Sequence, residues 1–177
     1  AVLDGVTAMA WLDSVGWDPA APAADEVDRS PTAEARQCLD HLLAHELPWR
    51  DPDASSATTG RITVAELLTD ALARPHEEAP KALGGRGLKG DPERGLLVAN
   101  SGATIEKVFT GSKWGKGAHR ARLLELEGAA PTAGPQRFPV LGMTRCVALP
   151  WALLEVEPGL LKAAATMTRR RDERTAA

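Results

Sequence analysis

The sequence predicts a mainly α-helical α+β protein with a small β-hairpin. Two observations predict it. Apolar residues recur at helical spacing in separate segments, first Leu39, Leu42, Leu43 and Leu47, then Val64, Leu67, Leu68 and Leu72. Between Asn100 and Pro150 a short apolar helix, a Gly-centred turn, a basic helix and a strand pair succeed one another (NSGATIEKVF, TGSKWGKG, AHRARLLELEGA, then QRFPV-LGM-TRCVALP). Helix, turn, helix and hairpin, with positive charge on the second helix, is the layout of a winged helix-turn-helix domain. The expected organisation is an acidic helical arm with linkers over 1–58, a winged-helix domain over 59–155 and a charged tail over 156–177.

Residues 1–17 (AVLDGVTAMAWLDSVGW) suggest a short helix ending near Gly16, and DPAAPAADEVDRSP reads as a linker. A helix is expected from Pro31 to Leu47, with Ser30 as N-cap and Pro31 at the first helical position, where its missing N–H costs nothing. Pro48 ends it, and DPDASSATTG is a second linker. Thr63 and Glu66 have capping-box spacing, so a helix opens there and buries Val64, Leu67, Leu68 and Leu72. Residues 75–95 read as a Gly/Pro/Lys-rich connection leading to a short strand, Leu96–Ala99. Ser101 is placed to cap a helix whose core positions are Ile105, Val108 and Phe109. Gly111 supplies the turn, and a basic helix from Lys113 or Gly115 to Glu127 stops at Gly128. Strands over 136–140 and 144–149 form the wing around Gly142, and the tail from 158 is a charged helix or a frayed end. The order from Thr63 is helix, strand, helix, helix, strand, strand.

Composition bounds the function. The chain has 177 residues, 44% hydrophobic and 25% charged, as a globular domain does. No apolar run approaches the roughly 18 residues that cross a bilayer, and no secretory signal opens it. Two cysteines cannot build a disulfide framework, so a reducing cytoplasm is the expected compartment. The first residue is Ala, which suggests an excerpt of a longer protein. The net charge of −3 conceals a division: residues 1–80 hold 5 Lys+Arg against 15 Asp+Glu, and residues 81–177 hold 16 against 9. A basic half suits a polyanion, because neutralised phosphates release condensed counterions.

On the basic helix His119, Leu123 and Leu126 share the side expected to face the core, while Lys113, Lys116 and Arg120 share the other. These three are the expected groove contacts. Thr104 and Lys107 on the preceding helix are expected to touch the flanking backbone, and Arg137 and Arg145, on or beside the wing, are expected to reach phosphates or the minor groove. Trp114 is expected to pack on the core. Double-stranded or forked DNA is the expected partner.

Other patterns carry less. Cys38, His41 and His45, with Glu34 one turn earlier, form a helix stripe of zinc-ligating residue types. One straight helix cannot complete a tetrahedron and no Cys-x-x-Cys partner exists, so packing is the expected role and no metal or cofactor is expected. Gly85, Gly87 and Gly90 match G-x-G-x-x-G, but a linker precedes them and Asp91-Pro92 comes after, so no dinucleotide loop is expected. GSKWGKG lacks the spacing and the Ser/Thr of a phosphate loop. No motif specifies catalysis.

LLVAN, IEKVFTGSKWGKGAHRARLLELEGA, RF and TRCVALPWALL resemble the terminal winged-helix segment of phage- and plasmid-type, virulence-associated-E-like replicative primase–helicases. The helix from Pro31 and the segment GRITVAELL resemble the region C-terminal to the ATPase core of those proteins. The resemblance covers about residues 30–155 and implies a non-catalytic DNA-binding module of a mobile-element replication protein. The ATPase or primase part would lie upstream. Two alternatives stand beside it: a winged helix for protein interaction or self-association, and a small metal-dependent enzyme using the Cys38/His41/His45 stripe.

Overall fold

The computed structural model describes residues 31–50, 60–75, 77–100 and 102–176. The helix expected over 1–17, the linkers over 18–30 and 51–59, and the caps at Ser30 and Ser101 lie outside the described residues. Pro31–Ala177 make one compact unit of mixed α+β structure.

Helix α1 (Pro31–Ala44) buries Ala35, Cys38, Leu39 and Leu42, a stripe at i, i+3, i+4 and i+7. It ends one turn short of the expected Leu47. That residue precedes Pro48, whose ring disfavours the α conformation before it. Leu47 is buried instead within strand β1 (Glu46–Trp49), antiparallel to β2 (Gly60–Thr63). Because α1 shares one core with the later elements, the compact unit starts upstream of residue 59, the boundary that the sequence suggests.

Thr63 caps α2 (Val64–Ala73) as its spacing predicts. Its hydroxyl accepts from the Glu66 N–H at 3.2 Å, and the Glu66 carboxylate accepts from the Thr63 N–H at 2.8 Å. Val64, Leu67, Leu68 and Leu72 are buried. The connection expected over 75–95 holds two elements instead, α3 (Glu78–Gly84) and β3 (Leu88–Asp91). Pro80 is tolerated in the first turn of α3, where no intrahelical N–H partner is lost. Strand β3 owes its form to its neighbour β4 (Gly95–Ala99), with which it pairs from Leu88↔Val98 to Asp91↔Gly95.

Two short helices come next, α4 (Ala103–Val108) and α5 (Ala118–Leu123). Strand β5 (Ala130–Pro131) then leads into a separate hairpin, β6 (Gln136–Phe138) with β7 (Gly142–Thr144). The segment expected as one strand over 144–149 breaks at Arg145. Its later part is β8 (Cys146–Leu149), the buried strand between β4 and β5. The main sheet thus runs β3-β4-β8-β5, antiparallel throughout. Residues 142–144 pair with β6 and residues 146–149 with β4 and β5, so the chain changes sheets at Arg145. After β8, a single 3-10 turn (Trp151–Leu153) donates the Trp151 indole N–H to the carbonyls of Asp91 and Pro92 at 3.0 and 3.2 Å. Helix α6 (Pro158–Ala176) closes the fold by packing against α2.

Gly95 fixes the register of the central strands. Its φ is +106°, and a Cβ there would lie 1.9 Å from the Leu149 carbonyl oxygen. Both the strain and the backbone clash oppose any side chain. Gly95→Ala is expected to lower unfolding free energy by more than ~2 kcal/mol, read as the denaturation midpoint in urea. An unchanged midpoint would show that the strand end is looser than this packing requires.

Candidate nucleic-acid interface

The basic region is organised by a stack of rings. The Phe109 side chain, fully buried after α4, lies parallel to the His119 ring at 4.7 Å and 7°, and stacks on His41 of α1 at 5.7 Å and 23°. Trp114 tilts against His41 at 5.2 Å. Two main-chain carbonyls hold the imidazoles: His119 Nε2 lies 3.2 Å from the Ala99 oxygen, and His41 Nε2 lies 3.1 Å from the Val108 oxygen. A carbonyl only accepts, so each Nε2 carries the proton. This ties α5 to β4 and α1 to the end of α4. His119, Leu123 and Leu126 are all buried, as their spacing predicts.

The basic helix is shorter than expected. Lys113 and Lys116 lie in the turn over 109–117, not on a helix, and α5 begins only at Ala118. Gly111, Lys116 and Gly117 have φ of +77°, +55° and +83°, left-handed values that no α-helix can contain. The turn is stitched instead by local bonds. The Ser112 hydroxyl donates to the Phe109 carbonyl at 2.8 Å, and the Lys116 N–H donates to the Glu106 carboxylate at 2.6 Å. The N-cap position of α4 is Gly102, at φ +125°.

Lys113 is exposed but engaged, 3.2 Å from the Glu34 carboxylate and 5.2 Å from the Trp114 ring centre. Arg122 shares Glu34 at 3.3 Å and Glu125 at 2.9 Å. Thr104 turns its hydroxyl inward: the oxygen is buried without a protein partner, so it offers nothing to a surface ligand. The other five expected contacts, Lys107, Lys116, Arg120, Arg137 and Arg145, are exposed, and among the described residues none of their side chains meets an acidic or hydrogen-bonding partner. Asn100 donates its N–H to the Arg145 carbonyl at 3.0 Å, which sets Arg145 beside the approach to α4.

The β6–β7 hairpin is anchored along one edge. Phe138 is buried, Gln136 accepts from Arg94 at 2.8 Å, and Pro139 rests on Gly84 of α3, where an added Cβ would stand 2.8 Å from its ring. Sequence reasoning missed this support because α3 was hidden in a Gly/Pro-rich stretch. A groove of about 1000 Å³ opens beside the hairpin and is lined by both signs of charge, Lys89, Arg94 and Arg137 against Glu77, Asp91 and Glu93.

The Cys38/His41/His45 stripe is engaged in packing. Cys38 is fully buried, His41 belongs to the ring stack, and among the described residues no three His, Cys, Asp or Glu side chains are placed to share a metal ion. Desolvation holds the His45 pKa below its usual value, with Arg86 adding to the effect. Comparison of the chain with protein families, curated proteins and solved structures returns no match.

Burial pushes the Cys38 thiol up to about 12 from 9.0, although Arg122 and Lys113 oppose the rise. The folded state therefore keeps a proton that the unfolded state releases, and stability contributed by this group is lost as pH climbs from 9.0 toward about 12. At neutral pH a buried protonated thiol is inert. Iodoacetamide is expected to label neither Cys38 nor the buried Cys146 in the folded protein and both in denaturant. Rapid labelling of Cys38 under native conditions would contradict this packing.

Proposed function

We propose that this chain is a non-catalytic DNA-binding module of winged-helix type, serving a mobile-element replication protein. One observation carries the reading. Residues 100–150 hold seven Lys and Arg against three Glu, and Lys107, Lys116, Arg120, Arg137 and Arg145 keep their charge exposed and unneutralised by any described residue. Exposed, unpaired cations suit a phosphate backbone, since each phosphate they neutralise releases counterions.

The chain order supports the type of module. Apart from α3 and β3, which come between α2 and β4, a helix (α2), a strand (β4), two helices (α4, α5) and two strands (β5, β8) follow the winged-helix order, with β8 pairing between β4 and β5. The hairpin β6–β7 is inserted between β5 and β8, where a wing belongs. The replication context rests on the family resemblance of LLVAN through TRCVALPWALL. The part played by Lys113 is revised: already paired with Glu34, it has little charge left to offer.

Fluorescence anisotropy on a labelled duplex, titrated with salt, tests the reading. The triple variant Lys116→Ala, Arg120→Ala, Arg145→Ala is expected to bind roughly tenfold or more weakly, with the slope of log affinity on log salt reduced by about 2 to 3. Lys113→Ala alone is expected to change affinity by less than about twofold, because a paired surface cation contributes little. Equal salt slopes for wild type and triple variant would sink the claim. No binding at low salt, together with a stable dimer in solution, would favour the protein-interaction alternative.

A further inference from the structure

Among the exposed cations of the basic region, Lys116 has the least ordinary backbone. Its φ of +55° is left-handed, a conformation disfavoured for a residue that carries a Cβ. Its neighbours in sequence are Gly115 and Gly117, and beyond the chain neighbours no heavy atom lies within 4 Å of where a Cβ on Gly117 would stand. Side-chain packing therefore does little to hold this part of the turn. Two main-chain bonds span it, from the Ala118 N–H to the Gly115 carbonyl at 3.2 Å and from the His119 N–H to the Trp114 carbonyl at 3.0 Å. Neither involves Lys116 itself.

The bond that does involve it comes from α4. The Lys116 N–H donates to the Glu106 carboxylate at 2.6 Å, ten residues away in sequence. A hydrogen bond to an ionised acceptor is short and about twice as strong as a neutral one. Residues 100–150 hold three glutamates. Glu125 pairs with Arg122, whereas Glu106 is half-buried and, among the described residues, meets no Lys or Arg side chain. Next to it in sequence stands Lys107, exposed like Lys116. A negative charge there repels the phosphates that these cations attract. Its Coulombic effect on DNA binding is unfavourable, so what it contributes is the backbone bond.

We infer that Glu106 is a positioning residue of the DNA-binding surface: its carboxylate fixes the Lys116 main chain and so sets where the Lys116 ammonium stands relative to Arg120 on α5. This deepens the DNA-binding reading and rests on it. Charge and position act in opposite directions here, and substitution separates them. Glu106→Gln keeps an oxygen acceptor and removes the charge, whereas Glu106→Ala removes both.

Anisotropy on a labelled duplex, titrated with salt, reads the two effects. Glu106→Gln is expected to bind roughly twofold to fivefold more tightly than wild type at low salt, with the same salt slope. Glu106→Ala is expected to bind at least about threefold more weakly despite the lost negative charge, with the slope of log affinity on log salt reduced by about 1, as for one phosphate contact. Amide hydrogen exchange supplies a readout independent of DNA. The Lys116 amide is expected to be protected in wild type and Glu106→Gln, and to exchange at least about tenfold faster in Glu106→Ala. Should Glu106→Ala lose its urea transition, Glu106→Asp takes its place: the charge is kept, the acceptor is withdrawn by one methylene, and binding at least about twofold weaker is expected. Unchanged affinity in a folded Glu106→Asp then overturns the inference. Tighter binding by both Glu106→Gln and Glu106→Ala makes Glu106 an opposing charge only and overturns it. Equal loss in both, wild-type affinity in both, or rapid exchange of the Lys116 amide in wild type also overturns it. Failure of wild type to bind at low salt, with that amide protected, overturns the DNA-binding reading and reduces the Glu106 bond to a contact of the fold.

Discussion

The ring of Phe109 lies between two imidazoles, and the placement of the basic region depends on that contact. Each neighbour belongs to a different element, His41 to α1 and His119 to α5, and each is anchored to a carbonyl of the β4–α4 segment. Offset or parallel ring contacts are individually worth about 0.5–1.5 kcal/mol beyond their burial. Their larger consequence is geometric. With Phe109 fixed, the turn after it must carry the chain from the end of α4 back to His119 in nine residues. A helix begun at Lys113 could not deliver that reversal, whereas three left-handed positions do.

How much of this was legible in the sequence depends on which force decides each element. Where burial decides, spacing was enough: Leu39 and Leu42, Val64 through Leu72, Ile105 through Phe109, and His119 with Leu123 were readable as inward faces. The capping box was readable because its bonds are local. Strand β3 was not, since nothing in Leu88–Asp91 asks for a strand until β4 lies beside it. The split of the last strand was hidden for the same reason, as β8 is defined by its two partners. The short α5 is a different lesson. Gly111, Gly115 and Gly117 stood in the sequence as breakers, and cations at helical spacing masked them.

The division of charge along the sequence also changes meaning in three dimensions. The acidic half is not wholly apart from the basic one, because Glu34 of α1 meets Lys113 and Arg122. Exposed pairs of this sort contribute at most about 1 kcal/mol to stability. What they settle is which cations remain unpaired. The pairing withdraws Lys113 and Arg122 and leaves Lys107 on α4, Lys116 on the turn, Arg120 on α5, Arg137 on the β6–β7 hairpin and Arg145 just after it. An even scatter of cations thus becomes a smaller set, chosen by where α1 packs.

That set constrains what kind of contact the proposed module makes. Helix α5 has six residues, a length of about 9 Å, and the residues it exposes are Ala118, Arg120 and Ala121. Reading a base sequence in the major groove takes several side chains with bidentate or apolar contacts along a helix. One arginine between two alanines supplies little of that. The remaining unpaired cations stand on α4 (Lys107), on the turn (Lys116), on the β6–β7 hairpin (Arg137) and just after it (Arg145), positions suited to phosphate oxygens. Affinity in such an arrangement comes from counterion release and falls steeply with salt, while discrimination between sequences comes from how readily the duplex deforms. If the module binds DNA as proposed, the short helix, the unpaired Lys116 of the turn and the anchored β6–β7 hairpin fit a grip by backbone and shape.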